Sequence, residues 1–331
     1  MACYGLFSVG RIHGVLFCRT GVYLHHRIDC CFYLPLVFAW GYSRSTIPRP
    51  QTEDIVFAFE QIGRMKHVFL TGASFGIGLA TSQALLASGH EVWGTSRDPN
   101  RLPQLNHLHP VQLDLRDNNK IDDAFMNSLD EAGHFDVLIN NAGSGHFGPA
   151  ESLSAEIISN QFQVLVFGHI RLMQLALAAM RARGKGLIIN VSSLAGRLPV
   201  PFMSAYNAAK AAMASFTMSS QLELLDSNVR IIDLQPADIC TQFNDAVTKS
   251  KDYDPRYEAN LAKTWNAVER NIRDAPKPDL VARRVCELID DRNPPPRVRV
   301  GDAFQTKIAP LIFRFLPQRV RIWGLRKYYG I

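Results

Sequence analysis

Short apolar runs alternate with longer stretches of helical spacing through residues 65 to 331. Seven runs show no strict alternation of polar and apolar positions, as is typical of strands buried on both faces of a parallel sheet. They lie at His67–Thr71, Glu91–Ser96, Val111–Leu115, Phe135–Ile139, Gly186–Val191, Val229–Gln235 and Val298–Val300. The repeated order of strand, helix and strand predicts an α/β fold with a mostly parallel seven-stranded sheet and helices on both faces.

The stretches between these runs predict the helices. Apolar residues recur at helical spacing in Ile77–Ser88, Ala155–Arg181, Ala205–Ala214 and Asp279–Asp290. Beyond the last strand, residues 301–331 form an apolar and basic tail that is predicted to be helical in part. Pro310 is expected to kink this tail or to start a second helix in it.

Residues 1–64 do not share this pattern, and we expect them to lie outside the fold. Their longest uncharged run, Cys30–Ser43, has 14 residues, whereas a membrane span needs about 20. Met65 stands just before the first strand, and the hypothesis is that translation of the native protein starts there. A targeting peptide is the alternative, and the intact mass of the native protein tests the hypothesis.

The composition indicates a globular protein. Apolar residues make up 47% of the chain, charged residues 20%, and the formal net charge is +6, which excludes disorder of the whole chain. No stretch resembles a nucleic-acid-binding module. Eight basic residues follow Pro296 against one acid, Asp302; they are Arg297, Arg299, Lys307, Arg314, Arg319, Arg321, Arg326 and Lys327. This bias predicts either a surface for an anionic membrane or a phosphorylated partner, or a solvated C-terminal face.

The cysteines add a prediction about metals and compartment. Four of the six lie in the first 31 residues, which leaves Cys240 and Cys286 in the part with the strand and helix pattern. No spacing forms a Cys-x-x-Cys zinc pattern, so no metal site is predicted. A reduced, cytoplasmic protein fits this usage best.

A hydroxyl, a phenol and an ammonium occur at spacings that suit proton transfer. Ser193 follows the predicted strand Gly186–Val191, and parallel strands present functional residues at their carboxyl ends. Tyr206 and Lys210 are four residues apart and therefore share a helix face. An ammonium about 4 Å from a phenol is expected to lower its pKa toward about 7. Tyr206 could then exchange a proton with a substrate oxygen to which Ser193 also donates. An ordinary buried tyrosine beside an exposed lysine is the alternative.

Two further motifs decide between these alternatives. The first strand runs into the glycine turn Gly72-Ala73-Ser74-Phe75-Gly76-Ile77-Gly78, and the fourth leads into Asn140-Asn141-Ala142-Gly143. With the Ser, Tyr and Lys, they resemble the classical short-chain dehydrogenase/reductase family over about residues 65–320. The hydroxysteroid- and retinol-dehydrogenase-like members that use NADP are the nearest in pattern. The resemblance implies a single doubly wound Rossmann-type domain, a nicotinamide cofactor, and hydride transfer between a ketone or aldehyde and an alcohol.

The resemblance also implies which residues hold the cofactor. They are Gly72, Ser74, Gly76, Ile77, Gly78, Arg97, Asp114, Leu115, Asn141, Ala142, Gly143, Tyr206, Lys210, Ile239 and Thr241. The second strand ends without an acid and is followed by Arg97, which favours NADP over NAD because an arginine there accommodates the 2′-phosphate. A solvated loop arginine is the alternative. Asp98 precedes Pro99 and is predicted to be a turn residue.

The chain departs from the family pattern at Leu165, where the family has the Asn of its catalytic tetrad. In the family this Asn helps to hold a water molecule that connects the lysine with solvent. Its loss motivates an alternative function, a cofactor-binding regulatory protein with weakened turnover. The intact Ser193, Tyr206 and Lys210 favour the enzyme. Ala237, in place of a glycine, is a smaller departure.

The remaining expectations concern the substrate and the assembly. The family places a substrate lid at about residues 242–273, and His146 is expected to line the mouth of the cleft. The predicted substrate is a small apolar molecule that contacts Ser193 and Tyr206. Family members form dimers or tetramers, and a face of small residues would suit packing between subunits: Ala208, Ala211, Ala212 and Ser215.

Overall fold

The computed structural model of the chain describes residues 65–224 and 227–331. The expectations for residues 1–64 therefore lie outside the described residues. The strands are β1 His67–Leu70, β2 Glu91–Ser96, β3 Leu108–Gln112, β4 Val137–Asn140, β5 Gly145–Phe147, β6 Gly186–Val191, β7 Val229–Pro236, β8 Val247–Lys249 and β9 Arg297–Val300.

Seven of these strands form one parallel sheet in the order β3-β2-β1-β4-β6-β7-β9. The chain moves outward in one direction from β1 to β3 and in the other direction from β4 to β9. The carboxyl ends of β1 and β4 therefore flank a crevice, which is where ligands bind in doubly wound sheets. The predicted Rossmann-type fold and seven-stranded sheet are confirmed.

Helices cover both faces of the sheet. They are α1 Gly76–Ala87, α2 Asn118–Ala132, α3 Ala155–Phe162, α4 Gly168–Arg183, α5 Ser204–Glu223, α6 Glu258–Asp274, α7 Asp279–Asp290, α8 Ala309–Phe315 and α9 Gln318–Tyr329.

The two faces of β1 show why its sequence is apolar throughout. Val68 and Leu70 point into the core formed with α1 and α7, and Phe69 points into the opposite core formed with α2 and α4. All three side chains are fully buried, because successive residues of a strand face opposite sides and both sides are covered.

The predicted third strand, Val111–Leu115, was placed three residues late. β3 is Leu108–Gln112 and pairs with β2 along its whole length. β3 contains Pro110, which is tolerated because β3 is an edge strand, where a missing backbone N–H costs little. Asp114 and Leu115 consequently lie beyond the strand, in the loop at the carboxyl edge of the sheet.

The single helix predicted over Ala155–Arg181 is divided. Between α3 and α4, residues Gln163–Phe167 form a turn of π-helix, a feature that often marks functional sites. Leu165 lies within it. The stretch Ala155–Arg183 is long and apolar enough to cross a bilayer by length and composition, but residues such as Leu172 and Met180 are buried in the core beside the sheet, as in a core helix.

Candidate active site

The glycine turn after β1 brings its backbone close to two other segments. Gly72 adopts a φ of +70°, which only glycine accepts easily, and a Cβ there would lie 2.9 Å from the Cα of Ala142. A Cβ on Gly78 would lie 1.9 Å from the carbonyl oxygen of Gly72 and 2.6 Å from Nδ2 of Asn141. The turn therefore has no room for side chains at these positions.

Asn141 and Thr71 fix the turn against the end of β4. The Asn141 amide donates to the carbonyl oxygens of Thr71 and Gly72, at 2.9 and 3.2 Å. The Thr71 hydroxyl oxygen accepts the backbone N–H groups of Asn141 and Ala142, at 2.8 and 2.9 Å. The predicted residues of the glycine turn and of Asn141-Ala142-Gly143 are thus brought together.

This cradle fits the pyrophosphate of a nicotinamide cofactor. α1 begins beside Phe75 without a side-chain cap and has no acid in its first turn, so its first N–H groups remain available to an anion. Ser74 and Ile77 lie at this helix start. The cofactor, when bound, supplies or accepts the hydride; the protein binds and orients it.

We expect Gly78→Ala to abolish most cofactor binding. Its Cβ would overlap the Gly72 carbonyl, a backbone atom held by Asn141, so the turn itself must move. A displacement of about 1 Å costs on the order of a hundredfold in kcat/KM. The measurement is cofactor titration by nicotinamide fluorescence, together with the unfolding midpoint. Gly324→Ala, in α9 with nothing within 4 Å of the added Cβ, is the matched control. Unchanged cofactor affinity of a folded Gly78→Ala variant contradicts the prediction.

The three catalytic candidates meet at the carboxyl end of β6. Ser193 follows the strand, and its hydroxyl oxygen accepts the N–H of Ala195 at 3.1 Å. Tyr206 and Lys210 lie on α5, and the Lys210 ammonium is buried and donates to the Val191 carbonyl at 2.7 Å. Its Nζ lies 5.9 Å from the centroid of the Tyr206 ring.

The prediction that Lys210 lowers the pKa of the phenol toward 7 is wrong for this arrangement. Burial raises the pKa of Tyr206 to about 12, a side-chain hydrogen bond with Ser193 opposes this, and the charge of Asp238 adds to it. Burial also lowers the pKa of Lys210 to about 8, although Asp233 opposes this. The ammonium is directed to the Val191 carbonyl and lies 5.9 Å from the ring centroid, and burial has the largest effect on the pKa of the phenol. At neutral pH the phenol is therefore protonated and Lys210 is charged.

A buried carboxylate lies below this site and was not revealed by the sequence pattern. Asp233 on β7 is 1% exposed. It accepts a hydrogen bond from the Ser192 hydroxyl, and from Gln235 and Arg297 at 2.8 Å each. The signal was available: Asp233 and Gln235 are polar residues in the part of β7 that is buried throughout, residues 231–236.

Leu165 lies where the family has its tetrad Asn, and the structure places a histidine one helical turn away. Leu165 is fully buried and packs with Tyr206 and Ala209. His169 on α4 is 1% exposed, and burial together with the nearby Lys210 charge lowers its pKa to about 3. A neutral imidazole therefore lies near the lysine. The sequence signal for it was a histidine in an apolar helix.

The segment after β7 carries two of the residues expected to hold the cofactor, Ile239 and Thr241. Thr241 is next to the glycine turn, since a Cβ on Gly76 would lie 3.4 Å from that of Thr241. Ile239 is buried in the core. Ala237, in place of the family glycine, is accommodated because its Cβ faces Gly301, where an added Cβ would lie only 2.5 Å away.

The residues expected at the adenosine end lie beyond β2 and β3. Arg97 is exposed, and Asp98 caps the following turn by accepting the Asn100 N–H at 3.1 Å, as a turn residue would. Asp114 forms a bidentate pair with Arg116, which lowers the pKa of its carboxyl group. Leu115 is buried. The cofactor contacts predicted for Asp114 and Leu115 stay predictions.

An aromatic cluster covers Tyr206 on the side of the lid. Phe147, Met203 and Leu261 are its buried members, and the partly buried Phe243 and Trp265 pack against them. The Tyr206 and Phe243 ring centroids are 5.6 Å apart, and those of Phe147 and Trp265 are 5.0 Å apart. The walls near the phenol are therefore apolar.

The first part of the segment expected to form the lid is paired with the body of the protein. β8 forms a two-stranded parallel sheet with β5. His146 on β5 is buried rather than lining an open mouth, and its ring nitrogens lie 2.8 Å from the Thr248 hydroxyl and 3.0 Å from the Ser250 hydroxyl. In the structure His146 therefore links β5 to the segment that contains β8.

Comparison with known proteins agrees with this geometry. The short chain dehydrogenase family model matches residues 66–252. The chain is 30% identical over 266 residues to the 3-ketodihydrosphingosine reductase of Bacteroides thetaiotaomicron, covering 80% of this chain and 98% of that protein.

Two solved structures are also similar. A short-chain dehydrogenase from Streptomyces avermitilis is 27% identical with a TM-score of 0.67, covering 80% of this chain and 94% of the other. A metagenomic short-chain oxidoreductase in complex with NADP is 27% identical with a TM-score of 0.57, covering 71% and 96%. The chain therefore belongs to the short-chain dehydrogenase/reductase family, whose members are oxidoreductases that act on CH–OH groups.

Proposed function

We propose that this oxidoreductase uses NADPH to reduce an apolar ketone or aldehyde to an alcohol, Tyr206 being the general acid. The observation that carries the proposal is the position of the Tyr206 phenol, beside Ser193, below an aromatic cluster and on one helix with the buried Lys210. Burial keeps this phenol protonated at neutral pH, and a general acid must carry its proton when the carbonyl oxygen gains negative charge.

The positions of the three residues support the roles proposed for them. Tyr206 donates its proton to the substrate oxygen. Ser193 donates a hydrogen bond to the same oxygen and stabilises the charge that develops on it. Lys210, charged below about pH 8, stabilises the phenolate that remains on Tyr206 and would contact the cofactor ribose. The aromatic walls exclude water from the reacting atoms.

The preference for NADP(H) over NAD(H) is proposed from Arg97. An arginine just after β2 accommodates a 2′-phosphate, and Asp98, the nearest acid, is occupied as a cap. We expect Arg97→Gln to weaken NADPH binding by about 10- to 100-fold, the value of a hydrogen bond to a charged group, and to leave NADH binding unchanged. Arg101→Gln, an exposed arginine in the next turn, is the control. Equal losses for both cofactors would contradict the 2′-phosphate assignment.

The substrate class is proposed to be a lipid-like ketone. The cluster around Phe147 and Trp265 supports it, as does the similarity to a protein named for the reduction of 3-ketodihydrosphingosine. The test is NADPH consumption by the purified chain with long-chain 3-ketones, steroid ketones and retinal, against small polar ketones. Turnover only with the polar set overturns the substrate class. Cofactor binding without turnover of any ketone favours the alternative, a regulatory protein. That alternative is suggested by Leu165, which replaces the Asn of the family's catalytic tetrad.

Two further proposals concern the oligomeric state of the protein and its location in the cell. A homodimer or tetramer through α5 is supported by the exposed apolar side chains Met218 and Leu222, which are 49% and 67% exposed. Mass in solution by light scattering tests this, with Leu222→Ser as the variant expected to dissociate the subunits.

We propose a cytoplasmic protein in peripheral contact with a membrane through its C-terminal tail.

A further inference from the structure

The C-terminal tail presents a stripe of large apolar side chains to solvent. Phe304, Ile308, Ile312 and Phe315 follow the spacing of one helix side, and they are 53%, 47%, 46% and 74% exposed. Leu311, between them, is 60% exposed. Contiguous exposed apolar surface of this kind marks a site of interaction with another molecule or with a membrane.

α9 follows this stripe in the chain and carries further exposed apolar side chains. It is also packed against the rest of the protein. Its inner side packs on α6 through Leu325 and the buried Tyr329. Asn271 on α6 donates to the Tyr328 hydroxyl at 2.9 Å. On its outer side, Ile322 and Trp323 are 50% and 63% exposed. The exposure is therefore a property of an ordered, docked helix rather than of a fraying end.

The charge of the tail indicates what it contacts. Residues 301–331 contain six basic side chains and one acid, Asp302, a difference of +5. None of the six forms a salt bridge with a residue in 65–224 or 227–331; they are Lys307, Arg314, Arg319, Arg321, Arg326 and Lys327.

Three of these cations lie over aromatic rings, the first being Arg314 at 5.9 Å from the centroid of Phe315. Arg321 is 5.3 Å from the centroid of Phe313, and Lys327 is 5.3 Å from that of Trp323. Aromatic and basic side chains together are typical of segments that lie in the interface of an anionic bilayer.

We propose that residues 304–328 dock the protein onto an anionic membrane surface, with the lid beside the bilayer. The docking surface is next to the site, because Gln305 donates to Asp238 at 2.6 Å, in the segment that follows β7. α9 rests on α6, which belongs to the expected lid. A lipid-like substrate would pass from the bilayer under the lid; this second half of the proposal rests on the proposed function.

The test for docking is co-sedimentation of the full chain with vesicles of phosphatidylcholine alone and with 30% phosphatidylserine. We expect binding to the anionic vesicles, weakened at high salt. Removing two charges with Arg319→Gln and Lys327→Gln is expected to reduce the partition coefficient about 10- to 30-fold, since each basic residue near the surface contributes about fivefold. The double variant Phe315→Ser and Trp323→Ser should reduce it at least as much. Met126→Ser, an exposed apolar residue on α2, should change nothing.

Other outcomes overturn the proposal. Equal binding to both kinds of vesicle, or none, refutes the anionic surface. If the parent does not bind vesicles and the Phe315 and Trp323 double variant has a smaller mass in solution than the parent, the exposed apolar side chains form an interface between two copies of the chain, and the proposal is refuted. Tyr206→Phe should sediment like the parent, so docking is measured independently of catalysis. If the parent docks but anionic vesicles do not increase turnover of a bilayer-dissolved ketone, substrate entry from the bilayer is refuted.

Discussion

Replacing Tyr206 by phenylalanine is expected to lower kcat/KM for ketone reduction by about a thousandfold, the range of a lost general acid. The substitution removes only the hydroxyl. The ring still packs against Phe243, and the cluster with Leu165 and Ala209 is unchanged, so the fold and the cofactor cradle are expected to persist. The loss should appear in kcat as well as in kcat/KM, because the proton is transferred in the transition state.

The measurement is steady-state NADPH oxidation, with cofactor titration on the same preparations. Phe243→Leu is the matched control, since it changes the neighbouring ring and leaves the phenol in place. It should alter KM more than kcat. A Tyr206→Phe variant that keeps more than about a tenth of the parent turnover would show that another group supplies the proton.

Asp233→Asn is expected both to destabilise the protein and to shift the pH dependence of kcat/KM. The carboxylate is buried and accepts from Gln235 and Arg297, and removing one partner of a buried ion pair costs about 3 kcal/mol in unfolding free energy. In the parent, reduction should decline as pH rises through about 8, where Lys210 loses its charge. Asp233 raises the pKa of Lys210. Its neutralisation therefore lowers that pKa further and moves the alkaline limb to lower pH, by about one unit.

Urea denaturation and the pH dependence of kcat/KM check the two effects separately. Asp122→Asn, which breaks the exposed pair with Arg171 on the outside of the protein, is the control and should change neither. An Asp233→Asn enzyme with the parent alkaline limb would mean that Lys210 does not govern the decline.

The sheet and the glycine turn could be predicted because local sequence determines them. An uninterrupted apolar run such as that of β6 fits a strand covered on both faces, and Gly78 is required by an atom in its own turn, the carbonyl oxygen of Gly72. The spacing of Tyr206 and Lys210 fixed their common helix, and Ser193 was correctly placed after its strand.

The electrostatics of the site could not be predicted in this way. The pKa of Tyr206 depends on how deeply the hydroxyl is buried and on where the Lys210 ammonium donates, and neither is encoded in a four-residue spacing. Asp233 reaches the site from β7, 23 residues beyond Lys210 in the chain. The edge position of β3, which allows Pro110 within a strand, likewise depends on the order of strands in the sheet.

The pairing of β5 with β8 has a consequence for how substrate selectivity can evolve. Gly145 faces Val247 and Phe147 faces Lys249 in fixed register, with His146 joined to both Thr248 and Ser250. β8 therefore cannot shift along β5 without breaking this register. Under the proposed function, substitutions in α6 are therefore expected to change which apolar substrates bind, while the geometry beside the reacting carbonyl stays constant.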